Sequence, residues 1–491
     1  MTVYLVGAGP GDPGLLTVRG AELLRRAEVV VHDRLSAREL LDLAPAGSLF
    51  VDVGKQPGGG PSTPQEEINA LLVEHGLAGR TVVRLKGGDP YVFARGAEEA
   101  AALAAAGVAY EVVPGITSAV AVPASAGIPV TLRYSSTSLT VVTGHEDPSK
   151  DHTDVDWESL ARVGGTLVIL MGVAHLPEIT RRLLAGGLPA DTPAAAIRWG
   201  TRPDQVTVRA TLGALHEHPL RAPATIVIGE VARQRLDWFE RRPLFGRTVV
   251  VTRTRTQAGE LSARLRELGA AVEEVPVIRV EDPADGGAAL TDAVAAVAAY
   301  DWVVLTSPNG AARFCAALRD GRDLAGVRLA AIGPGTAAVL AAHHLVADLV
   351  PERFVAEGLL EAFPDPPDGG GRILLARAAV ARDVLPDGLR GHGWEVDVVE
   401  AYRTVPAPLD DAARARLAAA DVVTFTSSST VEHLVAAVGP DAVPAVVACI
   451  GPVTSATARE LGLQVTVEAA VHTIDGLVEA LVAHLPPAVE A

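Results

Sequence analysis

Lysine is almost missing from this 491-residue chain. It occurs only at Lys55, Lys86 and Lys150, and arginine supplies the other cations. Lysine and arginine together number 42 against 59 acidic residues, a net charge of −17. That balance argues against a general nucleic-acid binder or a protein held on an anionic membrane surface. Cysteine is scarce as well. Cys315 and Cys449 stand far apart and fit reduced structural thiols in a reducing compartment. Aromatic residues make up 4% of the chain, so its cores are aliphatic. The 13 histidines show no HxxxH or HExxH spacing, and no metal is expected. No apolar run free of charges and breakers reaches the roughly 18 residues of a membrane span. No basic segment precedes the first apolar strand, so no secretory signal is expected. These absences leave a cytoplasmic α/β enzyme of two or more domains.

What is present begins at once. Residues 6–17 read Val-Gly-Ala-Gly-Pro-Gly-Asp-Pro-Gly-Leu-Leu-Thr. Counted from Gly7, where the strand ends, the string imitates a dinucleotide fingerprint and misses it: the third glycine of G-x-G-x-x-G is then due at position 12, which is Asp12. Pro10 removes an N–H where a pyrophosphate would need one. A stiff glycine turn of this kind suits close backbone approach to a neutral or cationic small molecule.

The first half alternates strand and helix: strands 2–6, 28–32, 48–53, 80–86 and 109–113, with helices near 15–26, 36–43, 64–75 and 95–106. That pattern predicts a doubly wound parallel sheet. A second α/β unit follows, with strands near 138–143, 166–171, 194–199 and 224–230, the two lobes dividing near 114–120. Residues 236–246 form the main joint, partly aromatic and expected to pack as they cross. The second half repeats itself with a period of about 120 residues, too long for a solenoid and right for two α/β lobes. Asp301-Trp-Val-Val-Leu-Thr-Ser matches Asp421-Val-Val-Thr-Phe-Thr-Ser. Ala331-Ile-Gly-Pro matches Cys449-Ile-Gly-Pro, and Gly246-Arg-Thr-Val-Val-Val-Thr-Arg matches Gly371-Arg-Ile-Leu-Leu-Ala-Arg.

In open parallel sheets, ligands bind at the carboxyl ends of the strands. In the first half those ends carry Gly7–Asp12, His32-Asp33-Arg34, Gly54-Lys55 and Gly87-Gly88-Asp89-Pro90. Asp33 reads either as a helix N-cap or, with Lys55, as an acid/base pair facing a crevice. A structural ion pair is the simpler alternative. Lys55 and Lys86 each close an apolar strand; either a deprotonatable ammonium is needed where a guanidinium would not serve, or the two are retained by chance. In the second half the strand-to-helix turns repeat hydroxyls, amides and glycines: Thr252-Arg253, Thr306-Ser307-Pro-Asn309, Gly333–Thr336, Thr426-Ser427-Ser428-Ser429 and Gly451–Thr454. Taken singly, each is an N-cap. Repeated in pairs around one cleft, their free N–H groups would bind a polycarboxylate.

Several of these strings together carry a resemblance. Gly7-Ala-Gly-Pro-Gly-Asp, Asp33-Arg-Leu, Gly54-Lys55, Pro64-Gln-Glu-Glu-Ile-Asn, Arg84-Leu-Lys-Gly-Gly-Asp-Pro, Val113-Pro-Gly-Ile-Thr-Ser, Val142-Thr-Gly-His145, Met171-Gly172 and Pro223-Ala224 resemble the uroporphyrinogen-III C-methyltransferases. They run in the right order over residues 1–240, with lobes of about 1–116 and 117–240. The resemblance implies a tetrapyrrole-methylase fold binding S-adenosylmethionine between two lobes. Pro10, Gly87, Gly88, Asp89, Val92, Thr117, Ser118, Met171, Gly200 and Ala224 would contact that cofactor. Asp33 would be the proton acceptor and Lys55 the proton donor. The family reads Thr-His-Arg where this chain has Thr131-Leu132-Arg133. Arg133 is a candidate for a substrate carboxylate, or a surface arginine.

Residues 246–485 resemble uroporphyrinogen-III synthase, with Tyr402 in Glu-Ala-Tyr-Arg-Thr and Thr473-Ile-Asp-Gly-Leu in register. The resemblance implies two duplicated parallel-sheet, flavodoxin-like lobes, one of 246–279 plus 405–485 and one of 280–403. Substrate would bind between them through main-chain amides and hydroxyls at Arg253, Thr306, Ser307, Asn309, Gly333, Ser427, Ser428, Gly451 and Thr454. Tyr402 would assist loss of the bilane hydroxyl. Joined, the halves would turn hydroxymethylbilane into uroporphyrinogen III and methylate it twice to precorrin-2, on the sirohaem and cobalamin route. No G-x-G-x-x-G unit follows in the rest of the chain, so precorrin-2 is the expected end product, and a homodimer through the methylase half is expected. The rival readings are a methylase for another precorrin or for ribosomal RNA, and a second half that binds tetrapyrroles without turnover.

Overall fold

A computed structural model describes residues 2–33, 38–54, 63–145, 154–253 and 255–486. Among them the chain forms four five-stranded sheets in two compact units, one running through Gly246 and one spanning Arg247–Pro486.

The first lobe holds β1 (Val3–Gly7), β2 (Val29–His32), β3 (Leu49–Asp52), β4 (Val82–Lys86) and β5 (Tyr110–Val113). They pair in parallel in the order β3-β2-β4-β1-β5. The inner strands are largely apolar because both faces are covered, with Arg84 and Lys86 of β4 as buried exceptions. Val3, Leu5, Val29 and Val31 pack one way with Leu72 and Leu103; Val6, Val30, Val83 and Leu85 pack the other way with Leu23 and Leu24. The expected helix over 36–43 is described as a 3-10 helix at Arg38–Leu43.

The second lobe adds β6 (Leu139–Thr143), β7 (Thr166–Leu170), β8 (Pro193–Arg198), β9 (Val206–Thr211) and β10 (Ala224–Ile228), in the order β6-β7-β10-β8-β9. Sequence reading omits β9, a half-buried hairpin partner of β8 whose alternating Val-Thr-Val-Arg-Ala-Thr carried the signal. β10 runs antiparallel to both β7 and β8. The joint packs on this unit. Phe239 and Phe245 are buried edge to face with centroids 5.6 Å apart, and Trp238 Nε1 donates to Ala124 O at 2.9 Å.

The second unit contains β11 (Thr248–Val251), β12 (Ala271–Glu274), β13 (Ile278–Glu281), β14 (Trp302–Leu305), β15 (Arg328–Ala331), β16 (Arg372–Ala378), β17 (Glu395–Pro406), β18 (Val422–Phe425), β19 (Val446–Cys449) and β20 (Val465–Glu468). One sheet is ordered β12-β11-β18-β19-β20, the other β13-β17-β16-β14-β15. The internal repeats fall on matching positions, with β11, β18 and β19 of one sheet answering β16, β14 and β15 of the other. The lobes therefore share four parallel strands and differ in where the fifth is added. In one lobe β20 extends the far edge in parallel. In the other, β13 adds to the opposite edge antiparallel to β17, an edge strand added to the duplicated parallel sheet. The chain crosses between the lobes after β12 and again after β17.

Candidate active sites

In the first lobe, the parallel strands end at one edge, and backbone touches backbone there. A Cβ added at Gly115 would lie 2.2 Å from Gly88 O and 2.6 Å from Gly7 Cα. Only glycine permits that approach. Gly9 and Gly88, at φ +78° and +69°, exchange hydrogen bonds of 3.2 and 2.8 Å across the edge. Asp89 fixes the turn, its Oδ1 accepting from Tyr91 N at 2.8 Å and its Oδ2 from Gly115 N at 3.0 Å. Thr117 caps the helix Ser118–Ser125 by accepting from Ala119 N. Pro10, Gly87, Val92 and Ser118 sit half-buried on the same edge.

Met171, Gly200 and Ala224 gather at one edge of the second lobe. Met171 follows β7, and Gly200 lies just after β8. Because β10 runs the other way, its first residue, Ala224, lies beside their C-terminal ends. Met171 is exposed with φ +58°. Gly200 is buried, and a Cβ there would meet Val122 at 2.4 Å, so any contact it makes is through its backbone. The two edges touch where Asp12 N donates to Thr201 Oγ1 at 3.1 Å. Arg133 stands apart, exposed, with its guanidinium 5.6 Å from the centre of the Tyr134 ring.

Asp33 directly follows β2, with Arg84 Nη2 2.6 Å from its Oδ1. Lys55, expected as its partner, lies outside the described residues. Arg84, buried on β4, also meets Glu99 of the helix Gly96–Ala105, and Lys86 meets the same carboxylate. Burial, helped by the neighbouring Arg84 charge, pulls the Lys86 ammonium below the usual lysine range. Sequence reading quotes Arg84 only as part of a motif and gives no role to it or to Glu99, because an arginine within a valine run and one of two adjacent glutamates on a helix look like solvated positions.

An open cleft with a cavity volume of about 510 Å³ lies between the lobes of the second unit. Four helices begin at its wall: Pro308–Ala317, Pro334–Ala342, Ser428–Val438 and Pro452–Glu460. At the last three, no side chain caps the N-terminus. Thr306, Gly333, Ser427, Ser428, Gly451, Thr454 and Tyr402 all line the cavity. Arg253, Ser307 and Asn309 are not among the lining residues. The Ser307 hydroxyl is taken by Gly310 N at 3.0 Å, the N-cap alternative. Arg253 is half-buried, and desolvation lowers its guanidinium pKa. Sequence reading missed Arg377, Arg382 and His472 on the lining. Arg377 had a signal, since the internal repeat sets it opposite Arg253. No carboxylate is among the described lining residues, so the wall offers amides, hydroxyls and cations.

The chain thus joins two α/β units, one with a glycine-lined strand edge and one with a cleft of helix N-termini, each a site for a small ligand. Residues 2–216 match the Tetrapyrrole (Corrin/Porphyrin) Methylases, and residues 259–479 match Uroporphyrinogen-III synthase HemD. The chain is 37% identical over 493 residues to the porphyrin biosynthesis protein HemD of Ruminiclostridium josui, covering 98% of this chain and 97% of that one. The S-adenosyl-L-methionine-dependent uroporphyrinogen III methyltransferase of Methanosarcina barkeri is 52% identical over 236 residues, 47% of this chain and 91% of that one. A solved uroporphyrin-III C-methyltransferase from Thermus thermophilus, complexed with S-adenosyl homocysteine, is 41% identical over 48% of this chain and 99% of that one, with a TM-score of 0.42. The chain belongs to the family that joins a tetrapyrrole methylase to a uroporphyrinogen-III synthase. Among the described residues, no helix is long and apolar enough to cross a membrane, and no group of three or more His, Cys, Asp or Glu is placed to hold a metal.

Proposed function

We propose that the second unit closes hydroxymethylbilane to uroporphyrinogen III, and that the first unit methylates this product twice to precorrin-2. One observation supports the reading: Pro10, Gly87, Gly88, Asp89, Val92, Thr117 and Ser118 share one strand edge of the first unit, and Thr306, Gly333, Tyr402, Ser427, Ser428, Gly451 and Thr454 share the cavity wall of the second, while Arg133, Arg253, Ser307 and Asn309 stand outside these groups.

The first edge suits S-adenosylmethionine. At Gly88 a Cβ would point toward the start of the helix Ser118–Ser125, with Ser118 N and Thr117 Cα the nearest atoms at 3.9 Å. Space is thus left beside free N–H groups and a turn that only glycine can form. When bound, this cofactor supplies an electrophilic methyl group. Pro10, Gly87, Gly88, Asp89, Val92, Thr117 and Ser118 would hold it from one lobe, and Met171, Gly200 and Ala224 from the other. Alignment of the pyrrole carbon with the methyl group is the main demand. Asp33 then accepts the proton lost from the methylated carbon, with Lys55 as donor. Arg133, exposed at the surface, is the candidate for a substrate carboxylate.

In the second unit, the helix N-termini and Arg377, Arg382 and His472 would hold the substrate carboxylates. A folded bilane brings its ends together, and the Tyr402 hydroxyl donates to the departing hydroxyl. The family likeness supports a cytoplasmic homodimer through the first unit, which sedimentation of the full chain checks.

The test is an anaerobic assay of the full chain with hydroxymethylbilane, with and without S-adenosylmethionine. The type III isomer without the donor and a dimethylated product with it are expected. Formation of the type I isomer alone, as in spontaneous closure, overturns the synthase assignment. The methylase is then tested with supplied uroporphyrinogen III.

A further inference from the structure

A line of four charges runs from the core of the first lobe to its strand edge. Arg84 and Lys86 are two apart on β4, so their side chains leave the same face. Both residues are buried, and both reach one oxygen of the fully buried Glu99: Arg84 Nε lies 3.1 Å and Lys86 Nζ 2.7 Å from Oε1. Glu99 Oε2 has no hydrogen-bond partner among the described residues. Arg84 gives Nη1 to Val31 O and Leu85 O, at 3.4 and 3.3 Å. Its Nη2 goes to Asp33 Oδ1. All three nitrogens of the guanidinium are engaged, in a planar fork that cannot turn without breaking several bonds at once. Of the four groups, Asp33 alone is more than marginally exposed, its side chain at 30%.

Stability is a poor reason for such an arrangement. Apolar residues of similar volume at buried ion-pair positions are often as stable or more so. The orphaned Glu99 oxygen adds to the burden. What the line does supply is a fixed direction for the one carboxylate at the edge.

We propose that Glu99 is a positioning residue for methyl transfer: it locks Arg84, and Arg84 sets the Asp33 carboxylate in place. Lys86 binds the same Glu99 oxygen, so the line holds two cations and two carboxylates. The proposal rests on the reading of Asp33 as proton acceptor, and its test separates the two.

Full-length Glu99→Gln keeps the side-chain shape and an acceptor but removes the charge that holds Arg84. Single-turnover transfer of labelled methyl to supplied uroporphyrinogen III is measured, with S-adenosylhomocysteine affinity by calorimetry as the check on folding. The rate is expected to fall roughly ten- to a hundredfold, with KM for both substrates and the product affinity within about twofold. Arg84→Lys, which keeps the charge but cannot span both carboxylates, is expected to show the same loss, and it carries the test if Glu99→Gln loses product binding. In an Asp33→Asn background, Glu99→Gln is expected to change the residual rate by less than about twofold, because both act through one group. An unchanged rate in Glu99→Gln or in Arg84→Lys, or the same loss with and without Asp33, overturns the proposal. A wild-type rate in Asp33→Asn overturns instead the reading of Asp33 itself.

Discussion

The two candidate sites are held open by different means. In the first unit, three glycine backbones press together within van der Waals distance, and the carboxylate at the edge is anchored by buried charges. In the second, a cavity of about 510 Å³ is walled by helix N-termini, hydroxyls and two arginines, with no single group that everything else supports. A site of the first kind concentrates its chemistry in a few atoms and should fail sharply when one is removed. A site of the second kind spreads recognition over many weak donors, each replaceable by its neighbours. The difference follows from the reactions proposed. Methyl transfer to carbon requires one proton to be taken at one place, whereas ring closure requires a long polyanion to be held folded.

The sharpest break in this comparison is Asp33→Ala. Methylation is expected to fall by about a thousandfold or more, within the range of lost general-base catalysis, while bilane cyclisation is unchanged. Chromatography of both products from one preparation checks it. Equal loss of both activities in a folded protein would mean that the two sites are not independent. Next is Gly115→Ala. The new Cβ would sit 2.2 Å from Gly88 O, so the strand edge must separate. Destabilisation of the first unit by roughly 1–3 kcal/mol is expected, with methylation reduced by about a hundredfold. Calorimetry should show the transition of the first unit falling while the second stays put.

Tyr402→Phe tests the other side. Tyr402 is buried in β17 at the cavity wall, and its hydroxyl is the group assigned to the leaving hydroxyl. If the fold of the substrate does most of the work, cyclisation should fall by only about tenfold and the type III isomer should still form. A loss as large as that of Asp33→Ala would place a single decisive acid in the second site and erase the contrast.

How much of this was readable depends on what each residue does. The glycine strings at the strand ends were legible, because φ above zero and backbone contact admit few other residues. The paired hydroxyl turns were legible through repetition, and the repeats do fall on matching strands of the two sheets. Arg84 and Glu99 were not legible. They sit 15 residues apart on different elements, and nothing local says that an arginine in Val-Val-Arg-Leu-Lys faces inward. The reversal of β10 and the antiparallel edge strand β13 were hidden for a related reason, since strand direction is set by the connections around it rather than by the strand's own residues. Arg377 was open to discovery through its repeat partner Arg253, yet the two differ in outcome. Arg377 reaches the cavity, with Nη1 and Nη2 bonded to Arg382 O and Asp383, whereas Arg253 does not line it.

The smallest effect concerns the two thiols, both of which lie in the second unit, so thiol labelling reports on that unit alone. Cys449 ends β19 with no exposed surface, and burial pushes its thiol up to about 11; Cys315 is also shifted upward by burial. The reactive form is the thiolate. Near pH 8, alkylation of native Cys449 by iodoacetamide should therefore be slower than that of the unfolded chain, both because the thiol is covered and because it keeps its proton. The stability linkage has a definite sign. A folded-state value above the ordinary one of 9.0 favours the fold below pH 9, and that contribution is lost as pH rises through about 11. Labelling should accelerate over the same interval, with Cys315, slightly exposed, ahead of Cys449. If Cys449 reacts at the free-thiol rate at pH 8 while the first unit stays folded, its lobe opens readily. The spread-out character of the second site would then come from mobility rather than from many fixed donors.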